Sequence, residues 1–331
     1  MKCIRCQFDS KYPQRVDRKC PNCRGEFAFE LRAGDLLTDM GFQRAVEHVS
    51  SGGQVRWGVE HLYYEICRRR KYSRFVAFIV RIFGTDTKLA RVTPSQFDGM
   101  WQRWLEVHHP TPGVIVRKVA PSRKRDVESD IADYSFDRAV ICDRARTVDV
   151  LLANNFHFEN NCAVLSVDGY PPGPFSTVLG MLKRNPRLQV IALHDATPAG
   201  CSLAHELATN SEWFEGQVKV VDVGLRPAHA KPFDGLLQRS STGVVQAGNG
   251  IREDETAWLS QYVLELAAIR PEQILKRLFR AINHQKDAEV STDPAVSKDG
   301  SASNGDGWVY MGHSDFSSDA GASDDGGDSF G

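Results

Sequence analysis

Three short apolar runs in the middle of the chain each end on an aspartate and are each followed by a segment with helical periodicity. The runs are AVIC before Asp143, AVLSV before Asp168 and QVIALH before Asp195, and a fourth run, VKVVDV, follows them. Continuous apolar runs joined by helical crossovers are typical of parallel strands that are covered on both faces. The pattern therefore predicts an α/β domain over 131–228, with a mainly parallel sheet and flanking helices. Those helices are predicted at 147–153, 174–183 and 198–208.

Amphipathic spacing before this domain predicts a mainly helical unit over 34–125. Asp39–Val49 and the stretch VEHLYYEICRRR both carry apolar residues at helical spacing, and a Trp-rich helix follows Ser95. The basic cluster Arg68–Lys71 has two interpretations. It either stabilises a helix C-terminus through the helix dipole, or forms the phosphate-contacting face of a winged-helix or helix-turn-helix unit. We expect a winged-helix-like DNA-binding unit here.

The chain after the sheet domain divides into a helical extension and a polar tail. Two helices, Glu253–Ile269 and Pro271–His284, are predicted within an extension covering 229–286. The remainder is rich in Ser, Gly and Asp and has few apolar residues. This composition predicts a disordered acidic tail over 287–331.

Two C-x-x-C pairs lie near the N-terminus, Cys3 with Cys6 and Cys20 with Cys23. Four thiolates at this spacing can close a tetrahedron around Zn²⁺ and leave no position for water. The spacing predicts a structural zinc ribbon over 1–33. The alternative is a redox dithiol or free thiols, but a redox site requires one pair rather than two. Zinc ribbons bind nucleic acid or protein, so the ribbon alone does not choose between these partners.

The distribution of charge separates the body of the chain from its tail. The net charge is −1, yet ten acidic residues and only one base, Lys298, lie from Asp287 onward. Residues 1–286 therefore carry 40 basic and 32 acidic residues, a formal charge of +8. A basic body is compatible with nucleic-acid binding. No apolar run is long enough to span a membrane, and no secretory signal follows the first residues, so we expect a cytoplasmic protein.

Several enzyme classes are excluded by motifs that the chain lacks. It has no P-loop, no Gly-rich dinucleotide turn after the first strand, no Asp-x-Asp of haloacid-dehalogenase phosphatases and no G-x-S-x-G elbow. What remains is a metal site built from Asp143 and Asp195 at strand ends, since ligands bind at the carboxyl ends of parallel strands. The alternative is that Asp143, Asp168 and Asp195 only cap the helices that follow them.

The segment DGYPPGPFSTVLGMLKRNPRLQVIALHDATPAG is similar to the Toprim domain of the topoisomerase VI A-subunit and meiotic double-strand-break protein family. In that family the first strand ends in an acidic residue, usually Glu, and a Gly-Tyr-Pro or Gly-Phe-Pro loop follows the second strand. The third strand ends in Asp-x-Asp-Pro-x-Gly. Asp143, Gly169–Pro171 and Asp195–Gly200 stand at these positions.

The resemblance implies a Mg²⁺ ion held by Asp143 and Asp195, and DNA strand cleavage by a tyrosine of a preceding winged-helix domain. Tyr64 is the candidate nucleophile, although its spacing from Arg56 differs from the family's Arg-x-x-Tyr-Tyr motif. Two departures from the family's pattern weaken the predicted metal site. Asp143 replaces the usual Glu and shortens its reach, and Thr197 replaces the second aspartate and removes a charge.

Three functions follow from these patterns. The first is a Mg²⁺-dependent, topoisomerase-like DNA-cleaving enzyme. The second, which we favour, is a nucleic-acid-binding zinc protein whose Toprim-like domain is catalytically depleted and which works within a DNA-processing or defence assembly. The third is an adaptor that binds proteins through its ribbon, C-terminal helices or tail, without DNA contact.

Overall fold

The computed structural model is an α/β structure that describes residues 1–70, 78, 82, 84, 86–108, 111–116 and 136–290. Within these residues the strands form one four-stranded parallel sheet and one two-stranded antiparallel pair. The strands are β1 Arg138–Cys142, β2 Cys162–Ser166, β3 Gln189–Leu193, β4 Lys219–Asp222, β5 Gln238–Arg239 and β6 Tyr262–Val263.

The four-stranded sheet has the order β2-β1-β3-β4, and all its neighbouring strands are parallel. All of β2, and all but the first residue of β1 and β3, are buried. Strands buried on both faces produce the unbroken apolar runs seen in the sequence. The prediction of a mainly parallel sheet is therefore confirmed.

The described α-helices flank this sheet or precede and follow it along the chain. They are α1 Asp39–Val49, α2 Val59–Arg69, α3 Pro94–His108, α4 Ala145–Ala153, α5 Phe156–Asn160, α6 Phe175–Arg184, α7 Pro198–Thr209, α8 Glu253–Leu259 and α9 Pro271–Val290. The three predicted crossover helices correspond to α4, α6 and α7, with ends that differ by no more than two residues.

One face of the sheet packs into a continuous apolar core. Ala139, Ile141 and Val190 from the strands pack with Leu203 of α7 and with Trp213, which follows that helix. Helix α4 contacts β1 and β2, while α7 contacts β3 and β4. These helices hold the carboxyl ends of β1 and β3 in fixed positions, which matters for the site described below.

The prediction of one continuous helix over Glu253–Ile269 is wrong. Helix α8 ends at Leu259, and Tyr262–Val263 then pairs with β5 as an antiparallel strand. Leu264 exchanges backbone hydrogen bonds with Ala196, at 2.8 and 3.2 Å. Pairing with a distant segment has overridden the local helical periodicity, as tertiary contacts commonly do.

At the C-terminus, α9 runs to Val290, past the predicted end at His284. Residues 287–290, which the sequence assigned to the disordered tail, are therefore helical. The rest of that predicted tail, 291–331, lies outside the described residues, as do residues 117–125 of the predicted winged-helix unit. Within the described part of the chain, no helix combines the length and apolar character needed to cross a membrane.

Candidate functional site

The four N-terminal cysteines come together in one cluster. The Sγ atoms of Cys3, Cys6, Cys20 and Cys23 all lie within 4.8 Å of one another. Two Sγ–Sγ distances, Cys3–Cys23 and Cys6–Cys20, are 3.6 Å. A tetrahedron with metal–sulfur bonds of about 2.3 Å has edges of roughly 3.8 Å, so the spacing suits a shared ion better than a disulfide. The four cysteines could therefore hold a metal ion.

Both cysteine pairs sit in the same type of backbone turn. The amide of Gln7 donates to the carbonyl of Cys3, and the amide of Arg24 donates to the carbonyl of Cys20, each at 2.9 Å. Gln7 and Arg24 have φ values of 60° and 59°. The two turns are near copies of each other, so each delivers its two thiols to the cluster in the same way.

A second candidate site lies at the carboxyl ends of β1 and β3. These strands are neighbours in the sheet, but the chain visits β2 between them. Connections that diverge from two adjacent strands open a crevice at their carboxyl ends, where open α/β sheets bind ligands. Asp143 follows β1 directly, and its Oδ2 accepts the backbone N–H of Asp195 at 2.9 Å. The structure therefore brings together the two aspartates that the sequence predicted to share a site.

Both carboxylate oxygens of Asp195 already have donors within the chain. Oδ1 accepts the backbone N–H of Leu266 at 2.7 Å, and Oδ2 accepts Nε of Arg144 at 3.2 Å. Asp195 is 3% exposed, and this burial raises the pKa of its carboxyl group. Because Arg144 supplies a positive charge at this carboxylate, a metal ion would have to compete with the guanidinium for Oδ2.

Asp143 differs from Asp195 in having an oxygen without a partner. Its Oδ1 is buried and makes no hydrogen bond. Burial and, after it, the negative charge of Asp195 raise the pKa of Asp143 to about 7. Burial and the neighbouring carboxylate therefore both favour the protonated form of this group. Among the described residues, no set of three metal-ligating side chains includes Asp143 or Asp195.

The adjoining strand contributes a histidine–aspartate pair. His194 is fully buried, and its Nδ1 lies 2.8 Å from the carbonyl oxygen of Asp195. Its Nε2 lies 2.9 Å from Oδ1 of Asp222, at the end of β4. Both partners are hydrogen-bond acceptors, an arrangement that favours the doubly protonated, cationic imidazole. Burial opposes this charge, but the hydrogen bond and charge of Asp222 raise the pKa of His194.

Arg226 completes a second charge-balanced group around Asp222. Its Nε donates to Oδ2 of Asp222 at 2.9 Å, and its Nη1 donates to Oε2 of Glu255 at 2.8 Å. Burial would raise the pKa of Asp222, but the hydrogen bond and charge of His194, with those of Arg226, lower it well below its usual range. Asp222 is thus an anion held between the Arg226 guanidinium and the His194 imidazole, whose cationic form it favours.

The motif residues after Asp195 form the start of helix α7. Thr197, which stands where the resembling family has its second aspartate, is the N-cap and accepts the N–H of Gly200 at 3.0 Å. A Cβ at Gly200 would overlap the carbonyl oxygen of Asp195. Asp168 accepts a hydrogen bond from the hydroxyl of Ser166. Thr197 therefore has a structural role as a helix cap.

Tyr64, the predicted nucleophile, is fully buried in α2. Its hydroxyl donates to Oε2 of Glu265 at 3.2 Å and accepts Nε2 of Gln238 at 2.7 Å. Burial and the charge of Glu265 raise the pKa of Tyr64 well above its usual range. Glu265, Asp195 and neighbouring residues line a cavity of about 20 Å³, room for about one water molecule. A nucleophilic role for Tyr64 stays a prediction, and it would require this region to open to solvent.

The basic cluster at the end of α2 is partly internal. The side chain of Arg68 is 5% exposed, pairs with Glu65, and donates to the carbonyl oxygen of Ala268 at 2.7 Å. Arg68 therefore cannot serve a phosphate-contacting face.

The predictions from sequence missed the charged residues that surround the strand-end aspartates. Asp222 lies inside the run VKVVDV, one residue before its end, so its position differs from that of the three aspartates that follow their runs. Glu255 and Glu265 have no comparable signal, because segments far apart in the chain bring them to the site, whereas Arg226 lies only four residues after Asp222. Comparison with protein-family models, with curated proteins and with solved structures gave no match.

Proposed function

We propose that this chain is a nucleic-acid-binding zinc protein whose Toprim-like domain has lost metal-dependent catalysis, and that it works as a component of a DNA-processing or defence assembly. One observation carries the loss of catalysis. At Asp195, where the resemblance implies a magnesium ligand, Arg144 and the amide of Leu266 occupy the two carboxylate oxygens.

The surrounding charges support the same conclusion. A magnesium site commonly uses one or two ionised carboxylates together with water molecules. Asp222 is neutralised by His194 and Arg226, and the pKa of Asp143, raised to about 7, leaves it only partly ionised. These residues do not fit a two-ion site, so we assign no catalytic step to magnesium.

The N-terminal cluster supports zinc and a nucleic-acid partner. Four thiolates in a closed tetrahedral arrangement are the ligand set of structural zinc sites, with no open position for chemistry. Lys2, Lys19 and Arg24 are exposed beside the cluster. Together with the formal charge of +8 over residues 1–286, these cations favour binding to a polyanion.

The second candidate function is Mg²⁺-dependent DNA cleavage. One observation favours it: Oδ1 of Asp143 is buried without a partner, as an oxygen awaiting a ligand would be. Tyr64 also hydrogen-bonds to Glu265, which lines the same small cavity as Asp195.

The test combines a binding assay with a cleavage assay on the full zinc-loaded chain. Fluorescence anisotropy with labelled single- and double-stranded DNA measures affinity at several salt concentrations. Incubation with supercoiled plasmid and Mg²⁺ measures nicking. We expect binding that weakens steeply with salt, and no nicking.

Asp195→Asn is the informative variant for the cleavage assay. An asparagine keeps a carbonyl oxygen for the amide of Leu266 while removing the charge that pairs with Arg144, so the fold has less reason to change. If the wild-type chain nicks the plasmid and Asp195→Asn does not, the second candidate function, Mg²⁺-dependent DNA cleavage, is supported instead. A chain that retains no DNA even at low salt would leave only the adaptor function.

A further inference from the structure

The amino ends of the sheet, opposite the aspartates, carry a row of polar side chains. The register places Arg138 of β1 beside Gln189 of β3, and Gln189 beside Lys219 of β4. Residues in register on parallel strands point to the same face. Neighbouring strands are about 4.8 Å apart, so the backbones of Arg138 and Lys219 are separated by roughly 10 Å.

This row borders an open pocket with an excess of positive charge. The pocket has a volume of about 520 Å³, and its charged lining residues are Asp137, Arg138, Arg187 and Lys219. Arg187 comes from the turn that leads into β3. Three cations and one carboxylate give a formal charge of +2.

The three cations of this pocket lack acidic partners among the described residues. None of Arg138, Arg187 and Lys219 makes an ion pair or a side-chain hydrogen bond there, and Nε of Arg138 is buried without a partner. This differs from the carboxyl edge, where Arg144 and Arg226 are bound to aspartates. Three cationic side chains without acidic partners around one pocket leave its positive charge available to an anion from solution.

We propose that this amino-edge pocket binds phosphate groups. Guanidinium groups match the geometry of phosphate oxygens, and a lysine adds a mobile point charge. A formal charge of +2 suits a doubly charged anion better than a single carboxylate. The phosphate comes either from a nucleic-acid backbone, which rests on the proposed function, or from a small molecule that carries a diphosphate.

The experiment compares two variants of the full zinc-loaded chain that lose the same kinds of charge. Arg187→Gln with Lys219→Gln removes one arginine and one lysine from the pocket. Lys183→Gln with Arg184→Gln removes the same pair from α6, where their side chains bond to backbone carbonyls of Ser211 and Gly180. Arg138→Gln is added to the first variant in a third protein. Circular dichroism and thermal unfolding check that each variant is folded.

Two ligands identify the source of the phosphate. Isothermal titration calorimetry measures the affinity of the chain for pyrophosphate directly. We expect the pocket variant to bind at least tenfold more weakly than wild type, and the α6 variant to bind as wild type does. Fluorescence anisotropy then measures the affinity for an oligonucleotide at several salt concentrations. The slope of the logarithm of the binding constant against the logarithm of the salt concentration should fall in magnitude by about one unit for each lost phosphate contact.

The outcomes separate this proposal from the proposed function. In one outcome, wild type binds pyrophosphate, the pocket variant does not, and neither binds the oligonucleotide. This result supports the pocket as a site for a small-molecule ligand and overturns the nucleic-acid function. In another outcome, the pocket variant still binds the oligonucleotide and wild type does not bind pyrophosphate. This result overturns the phosphate-binding proposal and leaves the nucleic-acid function in place. Equal losses of affinity in the pocket variant and the α6 variant also overturn the phosphate-binding proposal, because the change in the net charge of the protein would then explain both losses.

Discussion

Replacing Arg226 by alanine should destabilise the protein far more than replacing Arg252, although both arginines approach the same glutamate. Arg226 is 9% exposed and bonds to Asp222, to Glu255 and to the carbonyl oxygen of Gly250. The side chain of Glu255 is 2% exposed, whereas that of Arg252 is 60% exposed, with Nε 3.6 Å from Oε1 of Glu255. Only Arg226 neutralises Glu255 away from water.

The magnitude follows from what each substitution leaves behind. Arg226→Ala leaves Glu255 as a buried anion with one distant, solvated partner, and breaking such a pair costs about 3–5 kcal/mol. Asp222 retains its bond to His194, so it adds little to this cost. Arg252→Ala removes an exposed pair, which is worth about 0–1 kcal/mol. The two variants should therefore differ by at least about 2 kcal/mol in free energy of unfolding.

Urea unfolding followed by tryptophan fluorescence measures this difference at neutral pH. Adding Glu255→Gln to Arg226→Ala should recover part of the lost stability, because it removes the uncompensated charge. If Arg226→Ala lies within 1 kcal/mol of wild type, or if Glu255→Gln recovers nothing, the assignment of Arg226 as the buried counter-ion is refuted.

Three further predictions concern the site and the cysteine cluster. The pKa of Asp143 is raised in the folded state, so its protonated form contributes stability below pH ~4, and this contribution is lost as the pH rises towards 7. Asp143→Asn should therefore reduce the fall in the free energy of unfolding over that pH range, as measured by urea titrations. Gly224→Ala places a Cβ against the buried ring of His194 and should lower the free energy of unfolding by about 3 kcal/mol or more, whereas Gly243→Ala, with open space around it, should change it by less than about 0.5 kcal/mol. Cys20→Ser should reduce bound zinc from about one ion per chain to almost none in elemental analysis. A wild-type protein purified without zinc would contradict that last expectation.

The sheet could be predicted from sequence because three of its four strands, β1, β2 and β3, are buried along almost their whole length. Such strands are apolar without interruption whatever their neighbours are, so 138–142, 162–166 and 189–193 stand out locally. The order of the strands is a property of the whole sheet, and no short stretch encodes it. Helix Glu253–Leu259 was predicted too long for a related reason, since Tyr262 and Val263 fit a helical period but pair with β5.

The candidate site was predictable only in its acidic half. The carboxyl ends of parallel strands lie at one edge of a sheet, and this placed Asp143 and Asp195 at the same edge before their strands were known to be neighbours. The side chains that neutralise the edge come from elsewhere, Arg226 from a loop after β4 and Glu255 from α8. The contact between Arg226 and Glu255 depends on packing between segments distant in sequence, so the strand-end pattern gave no indication of these ion pairs.

Asp195 also ties β3 to the C-terminal segment, because its Oδ1 receives the amide of Leu266. Because this hydrogen bond is buried, folding alone gives a reason for an aspartate at this position, whether or not its carboxylate takes part in any chemistry. The presence of Asp195 is therefore not by itself a sign of catalysis, and a substitution there tests folding and chemistry together.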